Sequence, residues 1–344
     1  MATKGLEQGQ FLRYVRTVGM TTMRGRGFYY PIDSAMSNDG GRLYVLSRSF
    51  ERAVSDSMRV TMLNEDGEYF GVFGSAGIGD GQFRWPGGIA VNDQNRVFVT
   101  DEYLNRVSVF NESGEFLKHW GSEGEMEGML NGPSGIVFDR DNNVLIADSR
   151  NHRIQKFTSD GEFVKSFGEY GSGDGCLNLP WGLGVNQEGE IFVADWGNDR
   201  IQRFTPNGEF VAKYGSPGRE EGEFMKPAGV IVNQEGYIYV ADWGNERVQV
   251  LDTDGEFIEK LRGNGTISKW AQNFLNINVE EASARDKADL NLQIDYVDDS
   301  PHEESSHIEK YFWSPTSVTL DANGCLYVTE TNRHRIQVYA KRNR

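Results

Sequence analysis

Cations are scarce in this chain. Its 35 Lys and Arg stand against 51 Asp and Glu, a formal net charge of −16. Such a balance argues against a nucleic-acid backbone or an anionic membrane as partner, because both are held by clustered basic residues. Cysteine is nearly absent. Cys176 and Cys325 fall in different parts of the chain and in no metal-ligand spacing, which excludes a disulfide scaffold and predicts two reduced thiols. No apolar run approaches the roughly 20 residues of a membrane-spanning helix. Met1-Ala2-Thr3-Lys4 does not open a secretory leader, so a cytoplasmic location is expected. Histidine is sparse as well, five in all, and the five do not gather. His152 and His334 occupy equivalent loop positions and His119 falls in a strand. His302 and His307 lie five apart, where a zinc-hydrolase helix needs four to bring two rings onto one face. No metal and no other cofactor is expected.

What the chain does have is a period. Pro86, Pro133, Pro180 and Pro227 follow one another at 47 residues, and Arg59, Arg106, Arg153, Arg200 and Arg247 keep the same step. Between Pro180 and Gly215, four β-branched or aromatic runs (183–185, 191–194, 200–204, 209–214) are separated by Asn, Asp and Gly. Each unit is therefore a four-stranded antiparallel meander. One meander cannot bury both faces, but several stacked on one another can. The first unit opens at Tyr30-Pro31, with strands near 42–46, 59–63 and 68–73 and a longer loop over 47–58. The sixth opens at Ser314-Pro315, with strands near 317–320, 325–329 and 335–339, and the sequence stops before a fourth. Residues 11–18 look like the last strand of a repeat and fill that gap. Closing the array in this way hides the sheet edges an open one would expose. The expectation is an all-β, single-domain, six-bladed β-propeller over residues 1–344.

The signature of each unit, Pro-x-Gly-[Ile/Leu/Val] followed by Val-Ala-Asp-x-x-Asn-x-Arg-[Ile/Val]-Gln, resembles the NHL-repeat family of propellers across about residues 10–344. Blade 1 departs from it with Ser47 where Asp101, Asp148, Asp195 and Asp242 stand, and blade 6 has Glu330. The resemblance implies several activities: peptide or small-molecule binding and scaffolding, lyase or lactonase chemistry, and in some members RNA binding. In the amidating lyases it implies zinc-binding histidines just after the blade-opening proline, lining the central channel. Here those positions hold Ile32, Gly87, Ser134, Trp181, Ala228 and Thr316, none of which replaces histidine. Asp33 is the one obvious carboxylate at the channel, and a single carboxylate is too little for a metal.

Repetition also assigns the Asp…Arg pairs to structure, since a catalytic group is needed once whereas a blade-to-blade contact is needed at every junction. The Asn64-Glu-Asp-Gly67 and Asp252-Thr-Asp-Gly255 segments recur at every third-to-fourth strand hairpin, which makes them turns rather than calcium loops. From Arg247 to Arg335 the step grows to 88, so an insertion occupies about 264–312. By connectivity it lies on the side of the second-to-third strand loops. It is expected to form a mostly helical lid there, which could be removed without unfolding the ring. One helix is expected from Ser268, with Trp270 and Phe274 on one face, and another from Ser300-Pro301.

The same side gathers aromatics and a few cations. Tyr30, Asp33, Trp85, Tyr103, Arg150, Trp181, Trp196, Trp243, Trp313 and Arg333 are the candidate ligand-binding residues; Phe28, Tyr29, Phe312, Arg48 and Arg84 fall nearby. Aromatic surfaces of this kind take apolar or planar groups, and arginines choose an anionic one. The competing reading of the tryptophans is inter-blade packing. The sequence thus points to a non-catalytic protein that binds a peptide, a protein or a small organic ligand, with a lyase or hydrolase as the alternative; RNA binding ranks third, for want of a basic face. The oligomeric state stays open.

Overall fold

The computed structural model describes residues 11–49, 55–292 and 300–342. Residues 1–10 and 343–344, the tip of the long loop of blade 1 and part of the insertion lie outside these residues. Six four-stranded antiparallel sheets form the six blades of a propeller. In blade 4 the strands are Leu183–Val185, Ile191–Asp195, Arg200–Phe204 and Phe210–Tyr214, as the alternation of apolar runs and turn residues requires. The last blade is assembled from both ends of the chain. Leu12–Val18 pairs antiparallel with Arg335–Lys341, which continues through Leu326–Glu330 to Pro315–Leu320.

Burial lies between blades. Leu145, Ala147 and Ile154 of blade 3, for example, share one cluster with Ile191, Val193 and Phe204 of blade 4. The residue three before each blade-opening proline plugs these junctions. Phe28, Phe83, Leu130, Leu177, Phe224 and Phe312 are all completely buried. Phe28 and Phe312 are thus core residues, as the packing reading of the aromatics required, and not part of a ligand-facing rim. At Gly215, with φ of +81°, an added Cβ would lie 2.2 Å from the Phe224 ring, so the turn into the plug needs glycine twice over.

Register fixes the repeated polar groups. Asp148 stands opposite Arg153, Asp195 opposite Arg200 and Asp242 opposite Arg247 at the second-to-third strand loop. Asp195 accepts from Asn178 N, Asn198 Nδ2, Arg200 Nε and Gln202 Nε2, and Arg200 donates onward to the carbonyls of Ser172, Gly173 and Cys176 in the loop joining blades 3 and 4. These pairs fasten inter-blade loops. The hairpin turns are equally structural: Asp252 Oδ1 accepts the N–H groups of Asp254 and Glu256.

Among its described residues the insertion contributes three helices: α1 (Lys269–Ile277), α2 (Val279–Lys287) and α3 (Pro301–His307). Ser268 and Ser300 cap α1 and α3 as their sequences demand, accepting from Ala271 N and Glu303 N. α1 reaches the ring at its closing seam. Its Trp270 is buried against Phe28, Tyr69, Leu43 and Val18 at the seam between blades 6 and 1, while Phe274 is 44% exposed. No helix among the described residues is long and apolar enough to cross a membrane.

Candidate functional site

The innermost strands converge so closely that Gly135 N donates to Trp181 O of the next blade at 3.0 Å. A Cβ at Gly135 would sit 2.2 Å from that oxygen, which is why this strand position is glycine. The space they leave is a channel of about 280 Å³ walled by Ile32, Gly87, Trp181, Ala228 and Thr316, five of the six residues that follow a blade-opening proline. Asp33 is in its wall. Its carboxylate accepts from Ser34 N at 2.8 Å and from Ile89 N of the next blade at 2.9 Å, and burial lifts its pKa from 3.8 to about 6. Among the described residues no three His, Cys, Asp or Glu side chains group as a metal-binding set. The channel residues do not fit the zinc of the amidating lyases.

At one mouth of the channel lies a second cavity of about 350 Å³. Trp181, Trp196 and Trp243 line it together with Ile32, Arg48, Ala228, Thr316 and His302. Trp181 follows the proline of blade 4, whereas Trp196 and Trp243 each follow the buried aspartate of their blade and open a single 3-10 turn. That turn directs the indoles away from the inter-blade core, and all three remain partly exposed.

The other candidates take different posts. Trp85 lies under the Arg48 guanidinium at 4.8 Å, and Arg48 is itself buried in an ion pair with Glu102. Tyr103 is 64% exposed, with Arg84 5.5 Å over its ring. Tyr30 packs edge-on against His334 at 4.5 Å, beside a buried Tyr29 that stacks on the same imidazole. Arg150 is exposed, with its side chain against Gly132. Arg333 donates to the carbonyls of Ser305, Ser306 and Ile308, so it holds the end of α3 in place, 5.2 Å over Trp313.

Two features escaped the sequence reading. The first is a tie repeated at five junctions. The residue just before the blade arginine accepts the N–H of the residue preceding the next proline: Asn105 from Gly132, His152 from Leu179, Asp199 from Lys226, Glu246 from Ser314 and His334 from Tyr30. The signal was present as a hydrogen-bond acceptor at the variable position of Asn-x-Arg. The second is His302. It comes from α3 and reaches the cavity, its Nδ1 2.5 Å from Glu246 Oε1 and its Nε2 3.2 Å from Trp313 Nε1. Glu246 is 1% exposed, and burial raises its pKa to about 6 against the opposing bonds from His302 and Ser314 N. α3 therefore borders the cavity, pinned also by Arg262 to Glu304, while α1 lies elsewhere.

Blade count, closure by the N-terminal strand and an aromatic cavity at the channel mouth define a six-bladed β-propeller. The NHL repeat model matches residues 312–339. The model of the SMP-30/gluconolactonase/LRE-like region matches residues 87–221, and a 6-bladed β-propeller model matches 185–272. No curated protein matches. Among solved structures, a gluconolactonase from Xanthomonas campestris is 14% identical, with 96% of this chain and 99% of that one covered and a TM-score of 0.58. A virginiamycin B lyase from Staphylococcus aureus, crystallised as an inactive variant with quinupristin, is 13% identical over 94% and 98%, with a TM-score of 0.55. A protein of unknown function from Bacteroides thetaiotaomicron is 17% identical over 98% and 77%, with a TM-score of 0.60. At these identities the likeness is one of fold.

Proposed function

We propose that this propeller binds a small organic ligand, or a short peptide segment, by enclosing a flat apolar group in the cavity at its channel mouth. The observation that carries this reading is the convergence of Trp181, Trp196 and Trp243 on one space of about 350 Å³. Three indoles bring a large apolar contact area at little cost in side-chain entropy, which is how small-molecule pockets are generally built. The repeated polar groups around them are engaged in holding blades together, so they are not available for chemistry. This supports a binding role for the cavity.

The test is calorimetric titration of a panel of small aromatic compounds against the intact chain. A hit should weaken by about 1–3 kcal/mol in each of Trp181→Ala and Trp243→Ala, the scale of a buried aromatic anchor. Unchanged affinity in both variants would move the site off this face.

His302 favours a second reading. An imidazole held by a buried carboxylate at the edge of a ligand-sized cavity is the arrangement of a general base, and the family model matched over 87–221 includes gluconolactonases. On this reading the Trp313 indole N–H, which now donates to His302 Nε2, swings away and Nε2 takes a proton from the substrate or from an attacking water, with Glu246 orienting the ring through Nδ1. Turnover of a lactone or a streptogramin-type peptide, lost in His302→Gln with binding retained, would replace the binding role by a lyase or hydrolase one.

A further inference from the structure

We propose that the mouth cavity selects small aromatic anions, flat rings carrying a carboxylate or sulfonate, over neutral and cationic molecules of the same shape. The inference rests on the cavity being the ligand site and adds the charge of its ligand.

Five cations, Arg48, Arg84, Arg150, Lys226 and Arg333, stand on loops at this face of a chain whose net charge is −16. Three acids of the second-to-third strand loops are held by protein groups. Glu102 is buried and paired with Arg48, Asp199 accepts Lys226 N at 2.7 Å, and Glu246 accepts Ser314 N and faces His302. Burial moreover pushes the pKa of both Glu102 and Glu246 upward.

The cations are placed over the aromatics themselves. Lys226 Nζ is 4.1 Å from the centre of Trp196, one of the three cavity walls, and it forms no ion pair among the described residues. Arg84 over Tyr103, Arg48 over Trp85 and Arg333 over Trp313 repeat the arrangement around the mouth. A ligand cation would need these ring faces free, and it would meet the ammonium and guanidinium groups that already use them. An anion gains from the same groups while its ring fills the apolar cavity. The acidic remainder of the molecule repels anions at long range, so selection operates within about one Debye length, 8–10 Å at ordinary salt.

The experiment uses three probes with one ring system: 1-naphthoate, 1-naphthalenemethanol and 1-naphthylmethylammonium, titrated calorimetrically into the full chain. Naphthoate should bind about tenfold more tightly than the alcohol, since a cation a few ångströms from a partly screened anion contributes on the order of a kcal/mol. The ammonium should bind weakest. Raising the salt to 0.5 M, or the double substitution Lys226→Met with Arg150→Met in a variant of unchanged circular dichroism, should bring naphthoate to the level of the alcohol. Equal affinities for all three in the native chain, or a preference for the ammonium, overturn the anion selection and leave the cavity reading standing. Failure of every probe to bind, or binding indifferent to Trp181→Ala, overturns both.

Discussion

Trp270 Nε1 donates to the Gly67 carbonyl at 2.6 Å, joining the insertion to the outer hairpin of blade 1. The equivalent glycines show why a tryptophan is needed there. Gly114 packs on Phe73, Gly161 on Trp120, Gly208 on Phe167 and Gly255 on Tyr214, in each case the last strand residue of the preceding blade. At the closing seam that residue is Val18, too small to reach, and Trp270 of α1 supplies the missing ring. The insertion is therefore a fastener of the ring as well as a border of the cavity.

Removing that ring should open the seam. Trp270→Ala is expected to lower stability by about 3–5 kcal/mol, as large-to-small changes in cores do. Trp270→Phe keeps most of the packing and should lose nearer 1 kcal/mol with the hydrogen bond. Urea denaturation measures both. Replacing 264–310 by a flexible link should then destabilise the propeller, contrary to the expectation for a detachable lid; an unchanged midpoint would return α1 to that role.

The N-terminal strand is the other half of the closure. Deleting residues 1–18 strips Leu12–Val18 from Arg335–Lys341 and leaves the outer edge of blade 6 bare. An unpaired edge recruits other chains, so the truncated protein should be aggregated or strongly destabilised. A soluble truncation with the parent melting temperature would contradict closure by this strand.

The ring was legible because its physics repeats. Pro at the head of each inner strand and Arg opposite Asp recur at 47 residues, so any one blade could be checked against its siblings. The insertion has no sibling. Its helices at 269–277 and 301–307 followed from their Ser caps, but α2, which buries no residue, has no apolar face to announce it. The docking of α1 depends on Val18 being smaller than Phe73 or Tyr214, a difference with meaning only once the seam is known. At the site, Trp181, Trp196 and Trp243 could be assigned to one face from connectivity. His302 could not be added, because its place depends on how α3 is held by Arg262 and Arg333.

Asp33 gives a prediction with a sign. Burial raises its folded pKa from 3.8 to about 6, outweighing the bonds from Ile89 N and Ser34 N. The folded state therefore binds this proton more tightly than the unfolded chain does. The resulting stabilisation is complete below about pH 3.8 and is lost as pH rises through about 6. A carbon-detected titration of the Asp33 carboxyl should show a midpoint near 6. An ordinary midpoint near 4 would mean that channel water solvates the carboxylate.

Blade 2 supplies a prediction of gain. In blades 3, 4 and 5 a glutamine two residues after the blade arginine does two things at once. Gln202, for instance, accepts Gly175 N through Oε1 and donates from Nε2 to Cys176 O and Asp195. Blade 2 has Ser108 at that position, and there the fastening is incomplete. Asp101 accepts from Arg84 N, Trp85 N, Tyr103 N and Leu104 N, whereas buried Arg106 Nε and Ser108 Oγ find no partner among the described residues. By the symmetry of the repeat, Ser108→Gln would place its amide between Gly81 N and the Gln82 carbonyl, within reach of Asp101. Two hydrogen bonds made by groups that are otherwise poorly paired should raise stability by about 1–2 kcal/mol, net of the entropy of ordering the longer side chain. Thermal melts of Ser108→Gln against the control Ser108→Leu, which adds similar bulk without the amide, measure the effect. Equal melting temperatures for the two variants would show that blade 2 has closed over the space and that its missing glutamine is not a defect.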